Sequence, residues 1–377
     1  MKRFKSIILT TAGLWFVTNL SFAQIIDQRG VNQQWSTDLK NQKVELHEFM
    51  ALLPRDKIKP IDQPEFSNIE VASRVYSEKE PVISIEHKGV AKAYPLSILL
   101  AHEIVNDEIA GLKIAATFCP LCYSALVFNR TFTYKEETMV LTFGTSGMLR
   151  NSDLVMWDRQ TESWWQQFTG EGLVGFYSGA LLEIVNSELI PFSKFKELYP
   201  NGKVLNQPEN YAFEYGTNPY EDYDEDPNKQ PFLYKGTPDS RLPATERVVG
   251  IYGDNGVKGY PWSIIEKEKV INDEFEGEAV VLFYSKGMVS VVDEKNISES
   301  RDVGSVSVYS PLINGKLLEF EPYKNGTFRD AETNSVWDSL GKCIEGKYKG
   351  VSLQPIVHGQ HFAFAWLEFY PDTEIYK

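Results

Sequence analysis

The sequence predicts a strand-dominated α+β protein made of two tandem homologous domains related by an internal duplication. Three observations predict it. First, "KAYPLSILLAHEIVNDEIAG" (92–111) lies over "KGYPWSIIEKEKVINDEFEG" (258–277) with nine of twenty positions identical. Self-similarity at a fixed offset marks a repeated structural unit. Second, Asp158, Thr161, Ser163, Trp165 and Gly170 align with Asp330, Thr333, Ser335, Trp337 and Gly341, and "FKELYPNGKVL" (195–205) aligns with "WLEFYPDTEIY" (366–376). Third, the runs between these anchors are rich in Val, Ile, Thr, Phe and Tyr, the side chains that fit a pleated surface.

Residues 1–23 read as a cleavable signal peptide. Lys2, Arg3 and Lys5 precede a short apolar run, and Ser21-Phe22-Ala23 offers small residues at the cut. The run is too short and too often interrupted to span a bilayer. The mature chain is therefore expected to be exported, periplasmic or extracellular, without a transmembrane anchor. Residues 24–80 form an N-terminal extension.

The first repeat domain spans 81–205. "PVISIEHKGVAKAYP" predicts two strands joined at Lys88-Gly89. "LSILLAHEIV" has helical spacing with Pro95 at its start, and Asn106-Asp107 marks the break after it. "LKIAATF", "SALVFNRTF" and "TMVLTFG" predict strands. "SKFKELYP" predicts a short helix capped by Ser193 and ended before Pro200. Residues 206–246 form an acidic linker rich in Pro and Tyr, and 247–377 repeat the domain. Asp222, Asp224 and Asp226 alternate as in a calcium loop, but Pro227 and Leu233 stand where that loop needs Gly and Glu. A solvated connector is the expectation there.

The net charge of −14 argues against nucleic acid as a partner, since a chain this acidic is repelled by phosphate backbones. Three cysteines make no disulfide scaffold, even in an oxidising compartment.

The repeat also sorts the chemistry. Residues shared by both copies, such as Asn106, Asp107, Asp158 and Trp165, serve the common fold. Residues private to one copy are free for function. Cys119 and Cys122 in "TFCPLCYSAL" are private to the first copy, where the second reads "LFYSKGMVSV". So is His102, whose counterpart is Glu268. Met148 has no counterpart either. His358, His361 and Cys343 are private to the second copy.

A C-x-x-C pair can be a local disulfide, an exchange-active dithiol or two soft metal ligands. Tyr123 after the pair excludes c-type haem, and three thiols are too few for an iron–sulfur cluster. The strand expected after the pair excludes a thioredoxin site. There is no phosphate-binding glycine loop for a nucleotide, and Met148 breaks any G-x-S-x-G elbow. What remains is a thiol-centred metal or redox site. Cys119 and Cys122 would give sulfur and His102 nitrogen, with Met148 as a further soft ligand. Copper is expected ahead of zinc. The rival is a non-catalytic module recognising a peptide, glycan or protein through Trp157, Trp164 and Trp165.

The motifs "YPLSIL", "HEIVND", "FCPLCYSALVFNR", "FGTSGMLRNSDLVMWDRQTESWWQQ" and "FAFAWLEFYPDTEIY" resemble a bacterial family catalogued as domain of unknown function 3179. The resemblance runs from about Val82 to Tyr376. It implies an exported bacterial protein, and it includes the cysteine pair and His102 as a candidate site. It implies no activity.

Overall fold

The computed structural model describes residues 26–27, 34–209 and 211–377; the expected signal peptide lies outside them. Strand outweighs helix, 41 % to 12 %, as the β-rich runs require. No helix among the described residues is long and apolar enough to cross a membrane.

In the first half, strands Pro81–His87 and Val90–Pro95 form a hairpin. Glu188–Pro191 pairs with the first of them antiparallel, and Lys203–Leu205 pairs with the second in parallel. In the second half, Arg247–Tyr252 and Val257–Pro261 form the hairpin, flanked by His358–Phe362 antiparallel and Glu374–Ile375 parallel. A seven-residue helix follows each hairpin, α2 (Leu96–His102) and α4 (Trp262–Glu268). An antiparallel meander comes next: 104–109, 112–119 and 124–129 in the first half, and 270–275, 278–285 and 305–310 in the second.

The extension is woven into the first half. Its strand Phe49–Ala51 pairs with Phe143–Arg150, and Phe66–Asn68 pairs with Lys203–Leu205 just before helix α1 (Ile69–Ala72).

Side chains at matching positions pin matching backbone. Asn106 bridges Phe143 through its N–H (3.0 Å) and carbonyl (2.8 Å), and Asn272 bridges Phe320 likewise (2.9 and 2.8 Å). Asp158 accepts from the Thr161 amide at 2.7 Å and the Trp165 indole at 2.9 Å, and Asp330 accepts from Thr333 at 2.6 Å and Trp337 at 2.9 Å. Asn106, Asp158 and Asp330 are buried polar groups satisfied in this way, the condition under which they can be buried at all; Asn272 keeps the same contacts at the surface.

Three local expectations change. The helical spacing of "LSILLAHEIV" runs on to Val105, but α2 stops at His102. Glu103 takes a left-handed φ of 57°, and Ile104–Ile109 is a strand. Asn106 and Asp107 therefore sit in a strand and not at a break. Ser193 does not cap helix α3 (Phe192–Leu198); Pro191 holds the cap position and the Ser193 amide donates to the Glu78 carbonyl at 2.8 Å. The linker is no solvated connector throughout, because Asp224 is 3 % exposed and ion-paired.

The helices α2 and α4 both begin after proline, which has no side chain to cap them. A distant carboxylate does the work. Glu80 accepts from the Ser97 amide at 3.0 Å, and Glu246 from the Ser263 amide at 3.1 Å. Glu80 is buried, and burial, outweighing the Ser97 hydrogen bonds, pushes its carboxyl from the ordinary 4.5 up to about 7. Between those values the fold keeps a proton that the unfolded chain has lost, so this group's contribution to stability falls as pH rises through the window. Glu80→Gln keeps the acceptor and removes the titration. In urea melts, the stability of the wild type relative to this variant should decline from pH 4.5 to 7; a flat difference would refute the assignment.

Candidate metal centre

The strand Leu112–Cys119 turns back at Pro120–Tyr123 into Ser124–Asn129, with Cys119 paired to Ser124. The loop closes with Tyr123 N–H donating to the Pro120 carbonyl at 3.3 Å and Tyr123 at φ 51°. The two cysteines thus flank a hairpin tip and do not open a helix. Both are free, buried thiols, 2 % and 0 % exposed.

A second hairpin meets this tip. Strands Phe143–Arg150 and Asp153–Asp158 are joined by Asn151-Ser152, both at positive φ (51° and 67°), the signature of a type I′ turn. That turn places the Ser152 carbonyl 3.8 Å from Cys119 Sγ and 3.4 Å from Cys122 Sγ. It also brings Asp153 alongside. One ligand atom from each of Cys119, Cys122 and Asp153 lies within 4.8 Å of the others, and this is the single such group of three among the described residues.

Asp153 is fully buried. Its Oδ2 accepts from Gln166 Nε2 at 2.7 Å and from the Phe168 amide at 3.0 Å, while its Oδ1 has no N–H or O–H donor and is faced by the two thiols. Burial pushes its carboxyl up to about 7. Glu103, at the left-handed end of α2, is pushed up to about 8 by burial and then by the charge of Asp153. Burial also raises both thiols, Cys122 well above the ordinary value. Tyr123 Oη, Ser124 Oγ and Gln167 Oε1 are further buried atoms without a hydrogen-bond partner around this tip.

His102 is not in the cluster. Its Nδ1 is 2.6 Å from the Lys59 carbonyl, which can only accept, so Nδ1 carries the proton. Burial lowers its pKa and favours the neutral ring. Nε2, 2.7 Å from the Tyr215 hydroxyl, then accepts from it and has no lone pair to offer an ion. Met148 packs in a separate apolar group with Phe49 and Trp164. His358 binds the Ile356 carbonyl and His361 the Tyr252 hydroxyl. Trp157, Trp164 and Trp165 are all buried and form no surface platform.

Sequence reasoning missed Asp153 as a ligand candidate. The signal was there: Asp153 sits five residues before Asp158, whereas Asn325 sits five before Asp330. Like the cysteines, it is found in one of the two similar stretches and not in the other.

These features define a strand-dominated α+β protein with a buried dithiol–carboxylate cluster at a hairpin tip. A family model described as "Protein of unknown function (DUF3179)" matches residues 55–373, and the chain belongs to that family. No curated protein and no solved structure matches it.

In metal-free protein the two thiols should be shielded from a water-soluble aromatic disulfide. Labelling, followed by absorbance, should run roughly a thousandfold or more slower than in the urea-unfolded chain, since it must await opening of the fold. Rapid labelling of the native protein would show an open site.

Proposed function

We propose that the protein is exported and binds a metal ion through Cys119, Cys122 and Asp153. The observation that carries this reading is Asp153 Oδ1, fully buried and faced by the two thiols with no N–H or O–H donor on it. A carboxylate buried with only weak thiol donors is costly, and a cation held with the two sulfurs would repay that cost. The donor set decides which cation. Two thiolates with an imidazole and a thioether would suit Cu(I), as the sequence leads one to expect. Two thiolates with a carboxylate are harder and suit Zn(II). The ion would supply charge compensation and, at any open position, a Lewis acid. The thiols must lose their protons to bind, so loading releases protons.

Thiol–disulfide exchange fits less well. The thiolate is the reactive form, and burial here opposes it at both sulfurs. The matched topology and matched side-chain pegs support a further part of the reading: the two halves descend from one duplicated unit, and the thiol site belongs to one copy alone.

Purified mature protein should carry about one zinc per chain by elemental analysis, and Cys119→Ser/Cys122→Ser should carry none. Asp153→Asn should weaken zinc by at least about a hundredfold in chelator competition, the upper end of what lost supporting contacts cost. Absence of any stoichiometric zinc or copper would overturn the proposal. Export has its own check: the mature protein's first residue, by mass spectrometry, should fall near Gln24.

A further inference from the structure

A large cleft lies away from the thiols. It has a volume of about 760 Å³ and is bounded by residues between 59 and 76, the end of α2, residues 205–209 and Tyr211. That size is in the range of small-molecule sites. His102, set aside as a metal ligand above, is part of its lining. Fixed by hydrogen bonds at both nitrogens and packed at a tilt against Tyr211, with ring centroids 4.3 Å apart, the ring is a rigid piece of wall.

Two features say what the cleft could hold. The first is aliphatic surface. Val71 and Val75 are 46 % and 55 % exposed, and both line the cleft together with Ala72 and Leu205. Large apolar side chains left open in a concavity are contact surface. The second is uncompensated charge. Glu65 and Glu209 line the same cleft, and neither side chain has an ion pair or hydrogen bond among the described residues. Asp62 is already paired with Arg159 at 2.6 Å, and Lys59 is the one cation in the lining. Free carboxylates next to aliphatic surface complement a positive group on an apolar stem. A neutral sugar would leave the carboxylates uncompensated, and an anion would be repelled.

We propose that this cleft binds a cationic group carried on an aliphatic stem. That chemistry comes from two sources, a free diamine or a lysine side chain in a peptide. The proposal rests on the cleft alone and stands or falls apart from the metal reading.

The test is calorimetry on the full chain at low salt with two probes, 1,5-diaminopentane and the blocked tripeptide Ala-Lys-Ala. Saturable binding of at least one is expected. Binding of the diamine alone identifies a free amine as the ligand type, and binding of the tripeptide identifies a peptide. The double variant Glu65→Gln/Glu209→Gln should bind the same probe about tenfold more weakly, the scale of two exposed charge pairs, with its thermal melt unchanged. Val71→Ser should weaken binding severalfold through lost apolar contact. Absence of binding by either probe at millimolar concentration, or equal affinity in the glutamine variant, overturns the proposal. So does tighter binding of a neutral oligosaccharide than of either amine.

Discussion

One buried guanidinium holds the molecule's parts in register. Arg247 starts the first strand of the second half. Its side chain donates to Asp224 at 2.5 Å and to Ser290 Oγ at 3.0 Å, and it lies 4.4 Å from the ring of Tyr123. Asp224 comes from the linker and also pairs with Arg301 at 2.9 Å. Burial alone would raise the Asp224 carboxyl, but the two arginines outweigh burial and hold it below the ordinary range. Removing one member of such a pair strands the other charge and typically costs about 3–5 kcal/mol. The pair thus specifies one docking of linker, second half and cysteine hairpin, since any other would leave a charge unpaired.

The cysteine tip is built into this joint. The Phe362 amide donates to the Cys122 carbonyl at 2.8 Å, and the Tyr223 hydroxyl donates to the Leu121 carbonyl at 3.0 Å. Two of the turn's carbonyls are therefore satisfied from the linker and the second half, while several polar side-chain atoms around it are not. Tyr123 Oη, Ser124 Oγ and Asp153 Oδ1 lack partners. Carbonyls held from distant segments beside buried polar side chains left wanting is an arrangement expected of a site shaped for something other than its own packing.

The similarity between the two stretches of sequence made much of the scaffold legible. Asn106, Asp107, Asp158 and Trp165 could be assigned to structure because each recurs, and each holds backbone or a neighbouring ring. The strand after Cys122 could be read from its β-branched and aromatic residues. What the sequence hid depends on contacts distant in the chain. Asp153 reaches the thiols across thirty-odd residues by way of a two-residue turn, and no local pattern encodes that meeting. His102 drew notice as a private histidine, yet Lys59 and Tyr215 engage both its nitrogens from far segments. Glu103 looked like helix because apolar spacing continues past it, whereas its left-handed backbone ends the helix there.

The two halves differ most at one place. The first closes its meander with the four-residue turn Pro120–Tyr123, whereas the second leaves Ser285 and returns only at Ser305. Met288, Val289, Val291 and Val292 from that long excursion share one apolar core with Cys119, Leu121, Cys122 and Tyr123. The boundary expected between the two sequence-similar stretches is thus not a seam in the packing. Severing the chain between the halves would bare oily faces on both fragments, so the cysteine tip draws its core from both ends of the chain at once.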